Sequence, residues 1–147
     1  MKKKEIKPAL DALKSIKIPK IEDKDVKTAI IKNHLKLLAE QKKLEGELED
    51  LQKAYLGPYE DQRNAFAELQ QKFNAEKDEA ERQKLVDQMN SYTELISALN
   101  SLNKDQYEKL EEDVEVELID MDKFVEEYQN QDYDLTVVEA LYPMLKV

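Results

Sequence analysis

The longest regular pattern in the sequence is a heptad repeat within residues 24–56, and it predicts one long helix. The seam positions recur at alternating steps of four and three, which is the spacing of a coiled coil. A helix of this length spans about 50 Å, and Asp23 is suited to cap its first turn. The seam residues are Ile30, His34, Leu37, Gln41, Leu44, Leu48, Leu51 and Tyr55.

A second helix is predicted directly after the first. In Leu56-Gly57-Pro58, the glycine suits a left-handed C-cap and the proline suits a helix start. So short a connection makes the two helices antiparallel neighbours. Residues 74–84 are almost wholly polar and are compatible with either a helix or a loop. The residues expected to hold the helical hairpin together are Leu44, Leu48, Leu51, Phe66, Leu69 and Phe73.

The first third of the long helix carries a second apolar stripe, formed by Ile31, Leu35 and Leu38. Two stripes make a wider apolar face than a coiled-coil seam does. The pattern therefore predicts that this part of the helix is buried on two sides, within a small globular head, while the rest continues as a plainer coiled coil.

Two short segments with alternating apolar and charged residues predict the sheet of that head. They are residues 16–21, which include Lys17 and Lys20, and residues 114–119, which include Glu115 and Glu117. Opposite charges that face each other across a strand pair stabilise it. Helices at 120–129 and 135–142 are expected to cover the apolar face, since an isolated strand pair is marginal.

Charge is distributed unevenly, and this supports pairing between the two ends of the chain. Residues 1–36 contain eleven Lys and five acidic residues, for a net charge of +6. Residues 105–139 contain fourteen acidic residues and two Lys, for a net charge of −12. The sequence thus predicts one mainly α domain, an elongated antiparallel helical hairpin or coiled coil over 37–101 with a small α/β head built from 1–36 and 102–147.

This order of elements resembles a group of short phage and prophage proteins of unknown function. Those proteins have an N-terminal helix, a basic strand, a long Lys/Glu-rich helix, a Val-Glu-Val-Glu-Leu strand and a small C-terminal helix. The matching stretches here are Ile6–Tyr55 and Leu102–Leu145. The resemblance implies a viral context and a virion-associated or assembly role, and it implies no chemistry.

Residue types argue against catalysis, and we expect neither an enzyme nor a cofactor. There is no Cys, one His, no glycine-rich phosphate loop and no nucleophile motif. His34 could act as a base or a pH sensor, but its position on the seam favours a structural role. The acidic pairs Asp120/Asp122 and Asp132/Asp134 could offer oxygen ligands to a cation, but without a glycine turn they are interpreted as a solvated face.

Partners are expected to be other proteins, including copies of this chain or virion proteins. The N-terminal lysines compete with the chain's own acids and have no interleaved aromatics, so direct nucleic-acid binding is not expected. No apolar run approaches a membrane span, and we expect the cytoplasm of the host cell, or a virion, as the location.

The leading functional hypothesis is therefore a non-catalytic protein–protein interaction protein of a phage or prophage. An alternative is an acidic DNA mimic that inhibits a nucleic-acid-binding protein. A third is a homodimeric coiled coil in which the long helix pairs with its own copy.

Overall fold

Helices dominate the computed structural model, which describes all of residues 1–147. Because 79% of the residues are helical, the mainly α fold class is confirmed. The α-helices are α1 (Ile6–Ser15), α2 (Lys24–Leu56), α3 (Glu60–Ala75), α4 (Glu79–Asn90), α5 (Thr93–Leu110), α6 (Met121–Tyr128) and α7 (Leu135–Leu141). The strands are β1 (Ile119–Asp120) and β2 (Leu145–Lys146), and 3-10 turns occupy Lys3–Glu5, Ile18–Lys20, Gly57–Tyr59 and Tyr142–Met144.

The chain divides into two compact units. The first unit consists of residues 1–46 and 109–147, and the second unit of residues 47–108. The first unit contains residues 1–36 and 109–147 of the predicted head and also residues 37–46 of α2. Each unit has its own hydrophobic cluster.

The core of the first unit forms between α1 and α7 and is closed by α2 and α6. Ile6, Leu10 and Leu13 occupy one face of α1, and Leu141 of α7 is fully buried. Phe124 and Tyr128 of α6 stack with ring centroids 5.4 Å apart. The helices predicted at 120–129 and 135–142 are present, and Asp23 caps α2 by accepting from the Val26 N–H at 3.0 Å.

The predicted pairing of residues 16–21 with 114–119 is wrong. The two-stranded sheet joins β1 to β2 in parallel, with Ile119 opposite Leu145. Residues 18–20 form a 3-10 turn instead, in which the Ile21 N–H donates to Ile18 at 3.0 Å. Three-residue periodicity puts Ile18 and Ile21 on the same side of such a turn, so the short alternating pattern was compatible with a structure that is not a strand.

The oppositely charged ends do meet, but through different residues. The first residues of the chain run antiparallel to residues 111–114, where Lys2 forms an isolated bridge with Asp113. Backbone hydrogen bonds from Lys3 to Glu112 (2.9 Å) and from Val114 to Met1 (2.8 Å) fix the register. The ion pairs along this contact are Lys2–Asp113 (2.7 Å), Lys3–Glu112 (3.3 Å) and Lys4–Glu111.

The hairpin of the second unit turns at residues 76–78, and the turn predicted at Gly57-Pro58 is wrong. Gly57 does not have a positive φ, and the chain passes through a 3-10 turn directly into α3. Helix α3 packs against α4 instead of α2. Glu76 stabilises the true turn, because its carboxylate accepts from the backbone N–H groups of Lys77 and Asp78, both at 3.0 Å.

The predicted hairpin residues of the second unit therefore have other partners. Leu51 and Phe66 pack on a cluster formed by Leu56, Leu95, Ala98 and Leu102, which joins the end of α2 to α5. The Phe66 ring also meets Tyr92 edge-on, with centroids 6.1 Å apart. Phe73 lies beneath the Arg82 guanidinium, 4.2 Å from its ring centroid. Leu48 and Leu69 are half-buried, while Leu44 belongs to the first unit and is buried.

Candidate interaction surface

An apolar groove of about 360 Å³ lies on the first unit, between the end of α1, the 3-10 turn at 18–20 and the N-terminal part of α2. Its floor and walls are aliphatic, and its only polar lining residues are one lysine and one histidine. The lining residues are Leu13, Lys14, Ile16, Ile18, Ile30, Ile31, His34 and Leu35.

One wall of the groove exists because α1 ends abruptly at Ser15. The Ser15 hydroxyl donates to the Ala12 carbonyl at 2.6 Å, and the Ile16 N–H donates to Leu13 at 3.2 Å. Ile16 then adopts an extended conformation. Pro19 lies in the first part of the 3-10 turn, where a missing N–H costs nothing.

Helix α6 and the residues after it hold this wall in place. The Glu127 carboxylate accepts from the backbone N–H groups of Glu22 (2.8 Å) and Asp23 (2.9 Å). The buried side chain of Gln131 accepts from the Lys17 N–H at 2.9 Å and donates to the Lys17 carbonyl at 3.4 Å. Four hydrogen bonds therefore tie the α1–α2 connection to the body of the first unit, which makes the wall a fixed surface.

The opposite wall includes Ile31 and Leu35 of the second apolar stripe of α2, and the expectation that this stripe is buried is wrong. Ile31 is 43% exposed, Leu35 63% and Leu38 41%. Ile30 and Leu37, on the neighbouring face, are buried in the core. Helix α2 thus buries one apolar face within the first unit and leaves a second one open to solvent.

Asn33 is an important residue that the sequence interpretation missed. Its side chain is fully buried and bonds both backbone groups of Glu117: Nδ2 donates to the carbonyl, and Oδ1 accepts from the N–H, each at 2.8 Å. This pairing docks the irregular segment 114–118 onto α2. The available signal was an asparagine three residues after Ile30 and four before Leu37, on the buried face of the helix.

The four residues expected to pair charges across the sheet are not brought together. The Lys17 ammonium lies 3.8 Å from Asp132, and Lys20 ends the 3-10 turn. Glu115 and Glu117 are exposed on the segment 114–118, which is not a strand. His34 is half-buried and lines the groove.

The acidic pairs considered as cation ligands act as helix caps and in an ion pair. Asp120 caps α6 by accepting from the Lys123 N–H at 3.0 Å, and Asp132 faces Lys17. The Thr136 hydroxyl and N–H donate to Asp134 at 2.7 and 2.9 Å, and these hydrogen bonds hold the pKa of its carboxyl below the usual range. No group of three or more His, Asp or Glu side chains is placed to hold a metal ion.

The largest depression of the second unit, about 500 Å³, has a different character. It is lined mainly by small and hydroxyl-bearing residues of α5, with Tyr55 and Tyr59 at its edge. The Tyr55 hydroxyl is hydrogen-bonded to Asp105, and this bond is the main reason that the pKa of Tyr55 is raised, with burial second. Such a surface offers less apolar area to a partner than the groove of the first unit does.

Comparison with known proteins assigns no relatives to this chain. No protein-family model matches it, and no curated protein or solved structure is significantly similar to it. The resemblance to phage proteins therefore stays a prediction. None of the helices combines the length and the apolar character needed to cross a membrane.

Proposed function

We propose that this chain is a non-catalytic protein–protein interaction protein and that the groove of the first unit is its binding surface. The observation that carries the proposal is the row of exposed apolar side chains at Ile31, Leu35 and Leu38. Contiguous apolar patches with a polar rim are typical of binding sites. A partner helix or loop that fills the groove would bury these side chains and gain hydrophobic free energy.

The form of the groove supports a binding role because little has to be ordered when a partner arrives. The hydrogen bonds of Glu127 and Gln131 already fix one wall, and the other is a helix whose neighbouring face is part of the core. A preorganised surface loses less conformational entropy on binding than a flexible one.

The setting that we propose is the assembly of a phage particle or a virion-associated complex. This setting rests on the order of sequence elements that resembles phage and prophage proteins. The partners would then be other virion proteins or copies of this chain.

The alternative, an acidic mimic of DNA, has less support from the geometry. Of the carboxylates in residues 105–139, three face the N-terminal lysines. Asp120 caps α6, and the Glu127 carboxylate accepts from two backbone N–H groups. These neighbours neutralise or occupy part of the acidic surface, whereas a mimic needs its charges presented to the target.

A photoreactive amino acid placed at position 35 tests the binding surface in the native host. We expect a crosslinked product of defined mass, because Leu35 is the most exposed apolar residue of the groove. The matched control carries the same photoreactive group at Leu118, a leucine of the first unit that is 59% exposed and does not line the groove. Equal labelling at both positions, or none at position 35, would contradict the proposal.

A further inference from the structure

We propose that the partner of the groove is a second copy of this chain, which docks through its acidic segment, residues 132–135 (Asp-Tyr-Asp-Leu). This inference deepens the proposed function and rests on it.

Lysines flank the exposed apolar stripe of α2, and one lysine lines the groove itself. Along α2, the stripe of Ile31, Leu35 and Leu38 continues at helical spacing to lysines at both ends. Lys14 of α1 adds a further positive charge to the lining. The acidic residues of the same part of α2, Asp25 and Glu40, fall on other faces by the same spacing. The lysines that continue the stripe are Lys24, Lys27 and Lys42.

The acidic segment has the complementary chemistry. Tyr133 is 63% exposed and Leu135 is 68% exposed, and they alternate with Asp132 and Asp134. Hydrogen bonds from Thr136 hold the pKa of Asp134 below its usual range, so that carboxylate is ionised at neutral pH. An aromatic and an aliphatic side chain flanked by carboxylates match an aliphatic groove flanked by lysines.

Other pairings fit the charges less well. Two grooves facing each other would oppose lysine to lysine, which disfavours a dimer formed through identical α2 stripes. A nucleic acid or an anionic membrane would be attracted by the lysines but repelled by the adjacent acidic segment and by a net charge of −10. A surface of this same chain satisfies both the apolar and the charged parts.

The two surfaces are neighbours in the first unit, and this permits a symmetric dimer. Gln131 is hydrogen-bonded to the backbone of Lys17, and Asp132 lies 3.8 Å from the Lys17 ammonium. The residues on either side of Lys17, Ile16 and Ile18, line the groove. A two-fold rotation that places one copy's acidic segment in its partner's groove can therefore place the partner's segment in the first groove.

The test is sedimentation equilibrium of the full chain across a range of concentrations, at low and high salt. We expect a dimer that weakens as salt screens the lysine–aspartate contacts. Leu35→Glu in the groove and Tyr133→Lys in the acidic segment should each weaken dimerisation by roughly tenfold or more. Leu118→Glu, at an exposed leucine outside both surfaces, should leave it unchanged.

Mixing the two variants gives the decisive measurement. A heterodimer of Leu35→Glu with Tyr133→Lys retains one wild-type contact and gains a contact between opposite charges, so the mixture should dimerise more strongly than either variant alone. A wild-type chain that stays monomeric, a dimer insensitive to either substitution, or a mixture without recovery would overturn the inference. If the crosslink at position 35 captures a different protein, the binding surface stands and the second copy as partner is wrong; no crosslink at all contradicts both.

Discussion

Replacing Asn33 by Asp should destabilise the first unit strongly at neutral pH and much less in acid. The exchange keeps the shape of the side chain but removes the Nδ2 donor that bonds the Glu117 carbonyl at 2.8 Å. One carboxylate oxygen can still accept from the Glu117 N–H, whereas the other faces a carbonyl oxygen. The position is fully buried, so the negative charge is shielded from solvent.

The expected decrease in the free energy of unfolding has two contributions, the missing hydrogen bond and the buried charge. Loss of the part-buried hydrogen bond to the Glu117 carbonyl costs about 0.5–1.5 kcal/mol. A buried charge without compensation brings the total to about 3–5 kcal/mol, as when one partner of a buried ion pair is removed. With a slope of about 2 kcal/mol per molar urea, the unfolding midpoint should fall by roughly 1.5–2.5 M at pH 7.

The sign of the pH effect distinguishes this mechanism from a general packing defect. Burial raises the pKa of the introduced carboxyl above its value in the unfolded chain. Its protonated form can donate to the Glu117 carbonyl, so stability is retained below the unfolded-state pKa and is lost as pH rises through the folded-state pKa. Urea unfolding followed by circular dichroism measures the destabilisation at pH 7 and its recovery near pH 4.

Asn130→Asp is the matched control. Its amide donates to the Glu126 carbonyl at 3.1 Å, but Asn130 is exposed and water can replace the lost bond. We expect little change at either pH. Equal destabilisation of the two variants, or an Asn33→Asp variant that does not recover in acid relative to wild type, would refute the reasoning.

Three further predictions concern stability. Leu37→Ala should cost about 2–5 kcal/mol, while Leu35→Ala, two residues away but 63% exposed, should change unfolding by less than about 0.5 kcal/mol in the same urea assay. Leu95→Ala should lower the stability of the second unit by about 2–5 kcal/mol, measured by hydrogen exchange of its amides, with the first unit unaffected. The Lys2–Asp113 hydrogen bond raises the pKa of Lys2 and lowers the pKa of Asp113. Wild type should therefore be more stable than Asp113→Asn only while both groups are charged. In denaturation series of the two proteins, this difference should vanish as pH falls through the folded-state pKa of Asp113, and also as pH rises through the folded-state pKa of Lys2.

The sequence predicted the helices well because helical periodicity extends over many residues. Helix α2 has thirty-three residues, and its capping aspartate at position 23 was identified from residue type alone. Asp134 likewise caps α7, which begins at the next residue. Long patterns and caps are local properties of the chain, and neighbouring elements do not alter them.

The short elements were predicted poorly for the same physical reason. An Ile-Lys-Ile alternation over three residues fits a strand, but it also fits the start of the 3-10 turn at 18–20. Gly57-Pro58 suited a reversal of direction, but proline is also accepted at the start of a helical turn, and here the helical residues continue into α3. Such patterns are too short to distinguish between structures that differ in their long-range partners.

The charge asymmetry was informative at the level of the ends and not at the level of residue pairs. The net charges predicted that the N-terminal and C-terminal regions meet, and lysines 2–4 do face acids 111–113. The predicted pairing of Lys17 and Lys20 with Glu115 and Glu117 was wrong, because register depends on backbone hydrogen bonds such as the one from Val114 to Met1. Charge determines which regions of the chain attract each other, and backbone hydrogen bonding determines which residues face each other across the contact.

The two apolar stripes of α2 show why the candidate site could not be derived from periodicity. Both stripes have the spacing of a buried helix face, yet Ile30 and Leu37 enter the core while Ile31 and Leu35 remain at the surface. The core takes the first stripe because that face also carries Asn33, whose amide is paired with Glu117. Rotating α2 to bury the second stripe would withdraw the Asn33 amide from both of its hydrogen bonds to the Glu117 backbone. One polar residue thus fixes the rotation of the helix, and the apolar surface left over is available to a partner.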